Sequence, residues 1–276
     1  MQIRQIADVV RFATMTTPEL RETFLVEELA QPGTVNMLYV DLDRTVLGFA
    51  VPGADALPLE TAPELRAEYF LERRELGVLN VGGPGSIVVD GQAFQLGKLD
   101  CLYAGRGCRQ VRFASDDPAN PASFYLLSYP AHTSYPTAMV KFQDLTPLEL
   151  GAPETCNSRR IYKTIFRDGI RSCQLVMGFT LLNPGSNWNT MPPHTHMRRS
   201  EVYLYFDVDA GHRVLHLMGP PDRTRNIWVA DKEIVVSPGW SIHAGAGTKA
   251  YGFCWGMGGE NQAYDDMDPA TITSLR

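Results

Sequence analysis

The feature that most constrains this chain is the shortness of its apolar runs. "GSIVVDG", "FYLLSY", "VYLYFDV", "RVLHLM", "NIWVA", "EIVVSPGW" and "YGFCWGM" are brief, rich in β-branched and aromatic residues, and separated by turn formers. Such segments suit strands, and 24 glycines and 19 prolines supply the breaks between them. A chain of many short strands closes into a sandwich or a barrel. The expected class is therefore all-β. One segment reads as helix: "TPELRETFLVEEL" (17–29), with Thr17 as cap, Pro18 opening the first turn, and Leu20, Phe24 and Leu25 on one face.

A length of 276 residues allows one large or two ordinary domains. An internal echo favours two. "LERRELGVLNV" (71–81) resembles "HMRRSEVYLYF" (196–206), and "LGKLDCLYAGRGCRQV" (96–111) resembles "VADKEIVVSPGWSIHAG" (229–245). The junction falls near 143–155, so the expected domains are 1–148 and 149–276.

Between two prolines and a strand, "MPPHTHMRRSEVYLYF" (191–206) gathers His194, His196 and Glu201. Imidazole nitrogen and carboxylate oxygen are the ligands of zinc and its neighbours. Residues i and i+2 of a strand share a side, so the two rings aim together; on a helix they diverge by roughly 200°. Glu201 lies at odd parity from His196. A turn at "MRRS" must intervene before Glu201 begins a second strand, with Tyr203 and Tyr205 on its face. A fourth ligand, His243, follows the Pro-Gly turn of "SPGWSIHAG". His212, in "DAGHR", reads as a loop residue, and His216, in "VLHLM", as an ordinary strand residue. Trp188, Asn189, Thr190, Tyr203, Tyr205 and Trp240 give the motif the polar and aromatic company of a sugar pocket.

His-x-His-x4-Glu followed by Pro-Gly and His resembles the motif pair of the cupin superfamily. A closer resemblance covers nearly the whole chain. "LRETFLVEE", "YFLERRELGVLNVGG", "PAHTSYPT", "WNTMPPHTHMRRSEVYLYF", "MGPPDRTRNIWV" and "SPGWSIHAGAGTKAYGFCWGMGGENQAYDDMD" look, in order, like the 5-keto-4-deoxyuronate isomerases. That resemblance implies two cupin-type β-barrels with a few short helices. It also implies one Zn²⁺ per subunit on His194, His196, Glu201 and His243, a homohexamer, and a role in pectin and uronate breakdown. The implied reaction is the aldose–ketose interconversion of 5-dehydro-4-deoxy-D-glucuronate and 3-deoxy-D-glycero-2,5-hexodiulosonate. An iron-dependent oxygenase and a non-catalytic sugar-binding protein are the other functions such a barrel can serve.

The first half departs from the metal pattern. Aligned on the Arg pair, Tyr69 and Leu71 stand in place of His194 and His196, and Arg109 in place of His243. It is expected to bind no metal, with Arg73, Arg74 and Glu75 as a structural ion-pair cluster.

Isomerisation through an enediol takes a proton from C2 and delivers one to C1, with a direct hydride shift as the alternative; the enediol route needs a group poised near neutrality. By residue type the candidates are Lys163 and His132, with Tyr251 as donor to a substrate oxygen. A substrate carboxylate calls for guanidinium or ammonium. Arg159, Arg160 and Lys163 form one basic group, Arg198 and Arg199 another, and Arg160 and Arg199 are the expected contacts.

Charge and leader exclude other classes. The net charge of −6 is wrong for a nucleic-acid footprint. No run reaches the roughly 20 apolar residues of a membrane span. "MQIRQIADVVRFATM" lacks the apolar core of a secretion signal. Five scattered cysteines form no framework, which together with the leader points to a reducing cytoplasm.

Overall fold

The computed structural model of the chain describes residues 1–260 and 266–276. Strands dominate, and among the described residues the α-helices are Val9–Phe12 and Thr17–Phe24, with five short 3-10 segments. The strands gather into two compact units. The first comprises Met1–Arg4, Leu29–Leu145 and Thr164–Val176; the second comprises Gln5–Glu28, Thr146–Lys163 and Met177–Arg276.

Each unit sets a seven-stranded sheet beside a four-stranded one. In the first, the long sheet runs Gln2–Arg4, Thr34–Val40, Thr45–Val51, Phe124–Pro130, Arg74–Asn80, Cys101–Ala104, Ala138–Val140. Its short sheet runs Leu57–Pro58, Val111–Ser115, Gly85–Val89, Gln92–Leu96. The same order recurs in a second seven-stranded sheet, mostly of the second unit: Leu148–Leu150, Arg159–Ile165, Val176–Leu182, Gly252–Gly259, Arg199–Phe206, Ile234–Ser237 and Leu25–Val26. The second unit's short sheet is Trp188–Asn189, Ile242–Gly247, Val214–Gly219, Arg225–Val229.

Local chemistry explains these elements. Gly85–Val89 buries every second residue, the period of a half-covered sheet. Thr45–Val51, Arg74–Asn80 and Arg199–Phe206 are buried at every position, as central strands covered on both faces must be. The tight turn after Val89 uses Asp90 (φ 47°) and Gly91 (φ 86°), the left-handed pair that matches strand twist. The first core closes with Leu71, Leu76, Ala104, Val111 and Phe113, all buried.

The helix expected over 17–29 is shorter and capped one residue earlier. Thr16, not Thr17, is the N-cap: its hydroxyl accepts from Glu19 N–H while Glu19 accepts from Thr16 N–H. The helix stops at Phe24 because Leu25 and Val26 pair with Val235 and Ile234. Leu20 and Phe24 face the core as expected. The Arg73–Glu75 cluster is a second correction. Arg74 donates to Ser128 Oγ and O and to Arg44 O, whereas Glu75 accepts from Tyr103 and from the N–H groups of Cys173, Gln174 and Leu175. Both are buried and satisfied separately, and Arg73 is exposed.

Candidate metal centre

The histidine pair is delivered by a very short strand. His194–Thr195 pairs with Asp268–Pro269. The chain then turns at Met197–Arg198, with Arg199 N–H donating to His196 O at 3.3 Å. This is the turn that the odd parity requires. Arg199–Phe206 follows, held between Gly252–Gly259 and Ile234–Ser237, and carries Glu201 inward with Tyr203. His243 arrives on Ile242–Gly247, directly after the Pro-Gly turn.

The four side chains meet. One ligand atom from each of His194, His196, Glu201 and His243 lies within 4.8 Å of all the others. Glu201 Oε2 is 2.8 Å from His196 Nε2 and 3.0 Å from His243 Nε2, and the Nε2 atoms of His194 and His243 are 3.1 Å apart. His196 is oriented from behind: its Nδ1–H donates to Arg199 O at 2.9 Å, which leaves Nε2 for the cluster.

Electrostatics fit a cation. Burial pushes His194 down to about 3, helped by neighbouring His243, so its ring is neutral and its lone pair available. Burial also opposes charge on His196, but the hydrogen bond and charge of Glu201 outweigh it and raise its pKa. Burial would raise Glu201; the charge of His243 and hydrogen bonds from His196 and His243 hold it well below the ordinary carboxylate value. A buried anion ringed by three imidazoles is a donor set for one divalent ion.

The cluster opens into a cavity of about 190 Å³. Its cations are Arg159 and Arg199, its hydroxyls Thr180, Thr190 and Tyr203, and its apolar wall includes Phe253, Trp255 and Met257. Thr190 Oγ1 and Tyr203 Oη are 2.9 Å apart, and Trp255 Nε1 donates to Thr180 Oγ1 at 3.1 Å. Arg199 is buried, and its Nη2 pairs with Asp266.

Several residues expected at the site lie outside the cavity wall. Lys163 is half-buried on the strand whose Arg159 and Ile161 line the cavity. Arg160, half-buried opposite Glu149, alternates away from them. His132 is exposed in the first unit, its N–H donating to Cys173 Sγ. Tyr251 is buried and accepts from Asn189 Nδ2 at 2.7 Å. Trp240, expected near the pocket, packs instead on Phe12 and Phe24. Thr180 and Trp255 were missed: each sits in an apolar strand, with no local signal that its polar atom faces a cavity.

The model of the KduI/IolB family matches residues 24–272. The chain belongs to that family. A KduI/IolB relative from Caldicellulosiruptor bescii, named 4-deoxy-L-threo-5-hexosulose-uronate ketol-isomerase, is 48% identical over 276 residues, all of both chains. Among solved structures, an IolB-like protein of Salmonella typhimurium superposes with a TM-score of 0.71 at 13% identity, covering 90% of this chain and 96% of that one. A mutant oxalate decarboxylase of Bacillus subtilis gives 0.57 at 10% identity, over 79% and 70%. These likenesses establish the all-β cupin fold that the resemblance implied.

Proposed function

We propose that this member of the KduI/IolB family is a metal-dependent ketol-isomerase that converts 5-dehydro-4-deoxy-D-glucuronate to 3-deoxy-D-glycero-2,5-hexodiulosonate. The observation that carries the reading is the convergence of three imidazoles and one carboxylate at a cavity that also presents two guanidiniums. The relative that is 48% identical end to end, a 4-deoxy-L-threo-5-hexosulose-uronate ketol-isomerase by name, supports the same reaction.

His194, His196, Glu201 and His243 would hold the ion, which we assign as one Zn²⁺. Bound there, it supplies a Lewis acid that polarises the sugar carbonyl and steadies negative charge on oxygen. The protein's own groups do the rest. Arg199 and Arg159 give the cavity a positive wall for the uronate carboxylate. Thr190 and Tyr203 offer hydroxyls to the sugar. The apolar face of Phe253 and Trp255 limits water around the reacting carbons. Of Lys163, His132 and Tyr251, Lys163 is the group we assign to carry the proton between C2 and C1, because its strand forms part of the cavity wall. The same reading places the enzyme in the cytoplasm, as a hexamer acting in pectin breakdown.

The test is metal analysis of purified protein, then turnover of the 4-deoxy-5-keto uronate before and after chelation. One zinc per chain and chelator-sensitive conversion are expected. Full zinc without conversion would sink the isomerase reading. In deuterated water, deuterium in the product marks proton transfer; complete retention of the substrate hydrogen marks a hydride shift instead.

A further inference from the structure

Beside the four ligands lies a second polar layer that the proposed chemistry does not use. Gly245 pairs with Asn189 on one neighbouring strand and with His216 on the other. His243 is two residues earlier on the same strand and shares its face. A Cβ at Gly245 would stand 2.9 Å from Asn189 Nδ2, 3.0 Å from Tyr205 Oη and 3.3 Å from Tyr251 Oη. Glycine thus leaves room for polar groups to converge from both sheets.

The protons in this layer can be counted. Burial pushes His216 down to about 3, so it is neutral and carries one ring proton. Burial also pushes the Tyr205 hydroxyl up, so it keeps its proton. Tyr205 Oη lies 2.7 Å from His216 Nδ1; with the hydroxyl as the donor, the His216 proton sits on Nε2. His243 turns Nε2 toward Glu201 and His194, so as a ligand through that nitrogen it carries its proton on Nδ1. Three buried atoms then have no partner: the His216 Nε2–H donor, the His243 Nδ1–H donor and the Asn189 Oδ1 acceptor. All three residues are almost wholly buried. An unsatisfied buried group costs about 1–3 kcal/mol, and these three belong to residues on adjacent strands around Gly245. One water accepting from the two N–H groups and donating to the amide oxygen would match the set.

We propose that Asn189 and His216 are positioning residues for His243: with its Nδ1–H they hold one buried water beside Gly245, and that water fixes the tautomer that turns Nε2 to the metal. The inference rests on reading the four-residue cluster as a metal site. It adds a second layer that sets how tightly the site binds.

Zinc affinity, measured by competition with a chromophoric chelator, tests the inference. Wild type should bind one zinc, and His216→Phe and Gly245→Ala should each bind it about 10- to 100-fold more weakly. His216→Gln, which keeps an N–H near the Nε2 position, should stay within about threefold of wild type. Nitrogen-15 NMR of labelled histidine should show His243 protonated at Nδ1 in wild type and mixed in His216→Phe. Unchanged affinity and an unchanged tautomer in His216→Phe would overturn the positioning role. A high-resolution crystal structure gives a readout independent of any variant: density for a water within about 2.7–3.2 Å of all three atoms supports the inference, and its absence refutes it. If wild type binds no zinc, the metal reading fails by itself, and the crystallographic water still decides the second layer.

Discussion

Leu76 and Glu201 occupy the same place in two copies of one strand order. Each lies two residues after a buried arginine, Arg74 or Arg199, on the strand third from one edge of a seven-stranded sheet. Leu76 faces Ser128 and Ala104 across its two neighbours, and Glu201 faces Met257 and Ser237. Leu71 is buried where the Arg-pair alignment sets His196, and Tyr69 lies under the Arg109 guanidinium, 4.8 Å from ring centroid to Cζ. One interior is closed by methyl groups, the other by ligands. The backbone pattern decides where a side chain points; whether that spot is inert or reactive depends on a few residues. An ionised group survives in the second interior because three imidazoles surround it, a support the first lacks at Leu76.

The largest effects should come from exchanging these roles by mutation. Glu201→Ala or His243→Ala should abolish stoichiometric zinc and lower kcat/KM by on the order of a thousandfold, the scale of losing the main electrostatic stabiliser. Leu76→Ala, at the matching position, should leave zinc at one per chain and cost about 2–5 kcal/mol of stability by opening a cavity. If Leu76→Ala loses zinc while Glu201→Ala keeps it, the division of labour between the units is wrong.

Removing the metal should come next in size. A ligand present at about a thousand times its Kd contributes about 4 kcal/mol to the folded state. Chelation should therefore lower the melting temperature. Hydrogen exchange should quicken in Arg199–Phe206 and Ile242–Gly247 and stay slow in Arg74–Asn80. Equal quickening in both central strands would contradict a metal that serves the second unit alone.

Lys163→Ala sharpens the comparison inside the second unit. As the proton carrier it should lower kcat by about a hundredfold or more with zinc still bound. A near-normal kcat would return the role to another group.

How much of this was legible in the sequence follows from the range of each interaction. The strands, the ligand spacing and the turn after His196 are written in short stretches, because side-chain alternation repeats every two residues. The cap at Thr16 was misplaced by one, since two adjacent threonines offer the same hydroxyl and only reciprocity with Glu19 distinguishes them. Leu25–Val26 read as helix because its partner, Ile234–Ser237, lies about two hundred residues away. Arg159, rather than Arg160, reached the cavity for a reason of parity: a basic run shows charge, but not which alternate residue faces inward. His216 carried no sequence signal at all. Its significance lies in Tyr205 and Gly245, two strand neighbours that register alone brings to it.

The smallest effect concerns acid. In the metal-free protein His194 and His216 have pKa values lowered to about 3 from an ordinary 6.5, burial being the main cause for both. A histidine lowered in the folded state binds a proton only on unfolding as pH drops below 6.5. Each should therefore cost about 1.4 kcal/mol of stability per pH unit between roughly pH 6 and 4. His196 is raised, so it favours the folded state as the pH falls toward 6.5 and adds no further slope once both states are protonated. The first unit holds a single histidine, the exposed His132, and so lacks this sensitivity. All four tryptophans, Trp188, Trp228, Trp240 and Trp255, belong to the second unit, whereas buried Cys101 belongs to the first. Urea unfolding at pH 7, 6 and 5 can then be followed by tryptophan fluorescence for one and by thiol labelling of Cys101 for the other. The fluorescence midpoint should fall with acid while the labelling midpoint holds. Matching shifts would mean that the buried histidines do not set the acid response, and the contrast between the two interiors would lose its energetic meaning.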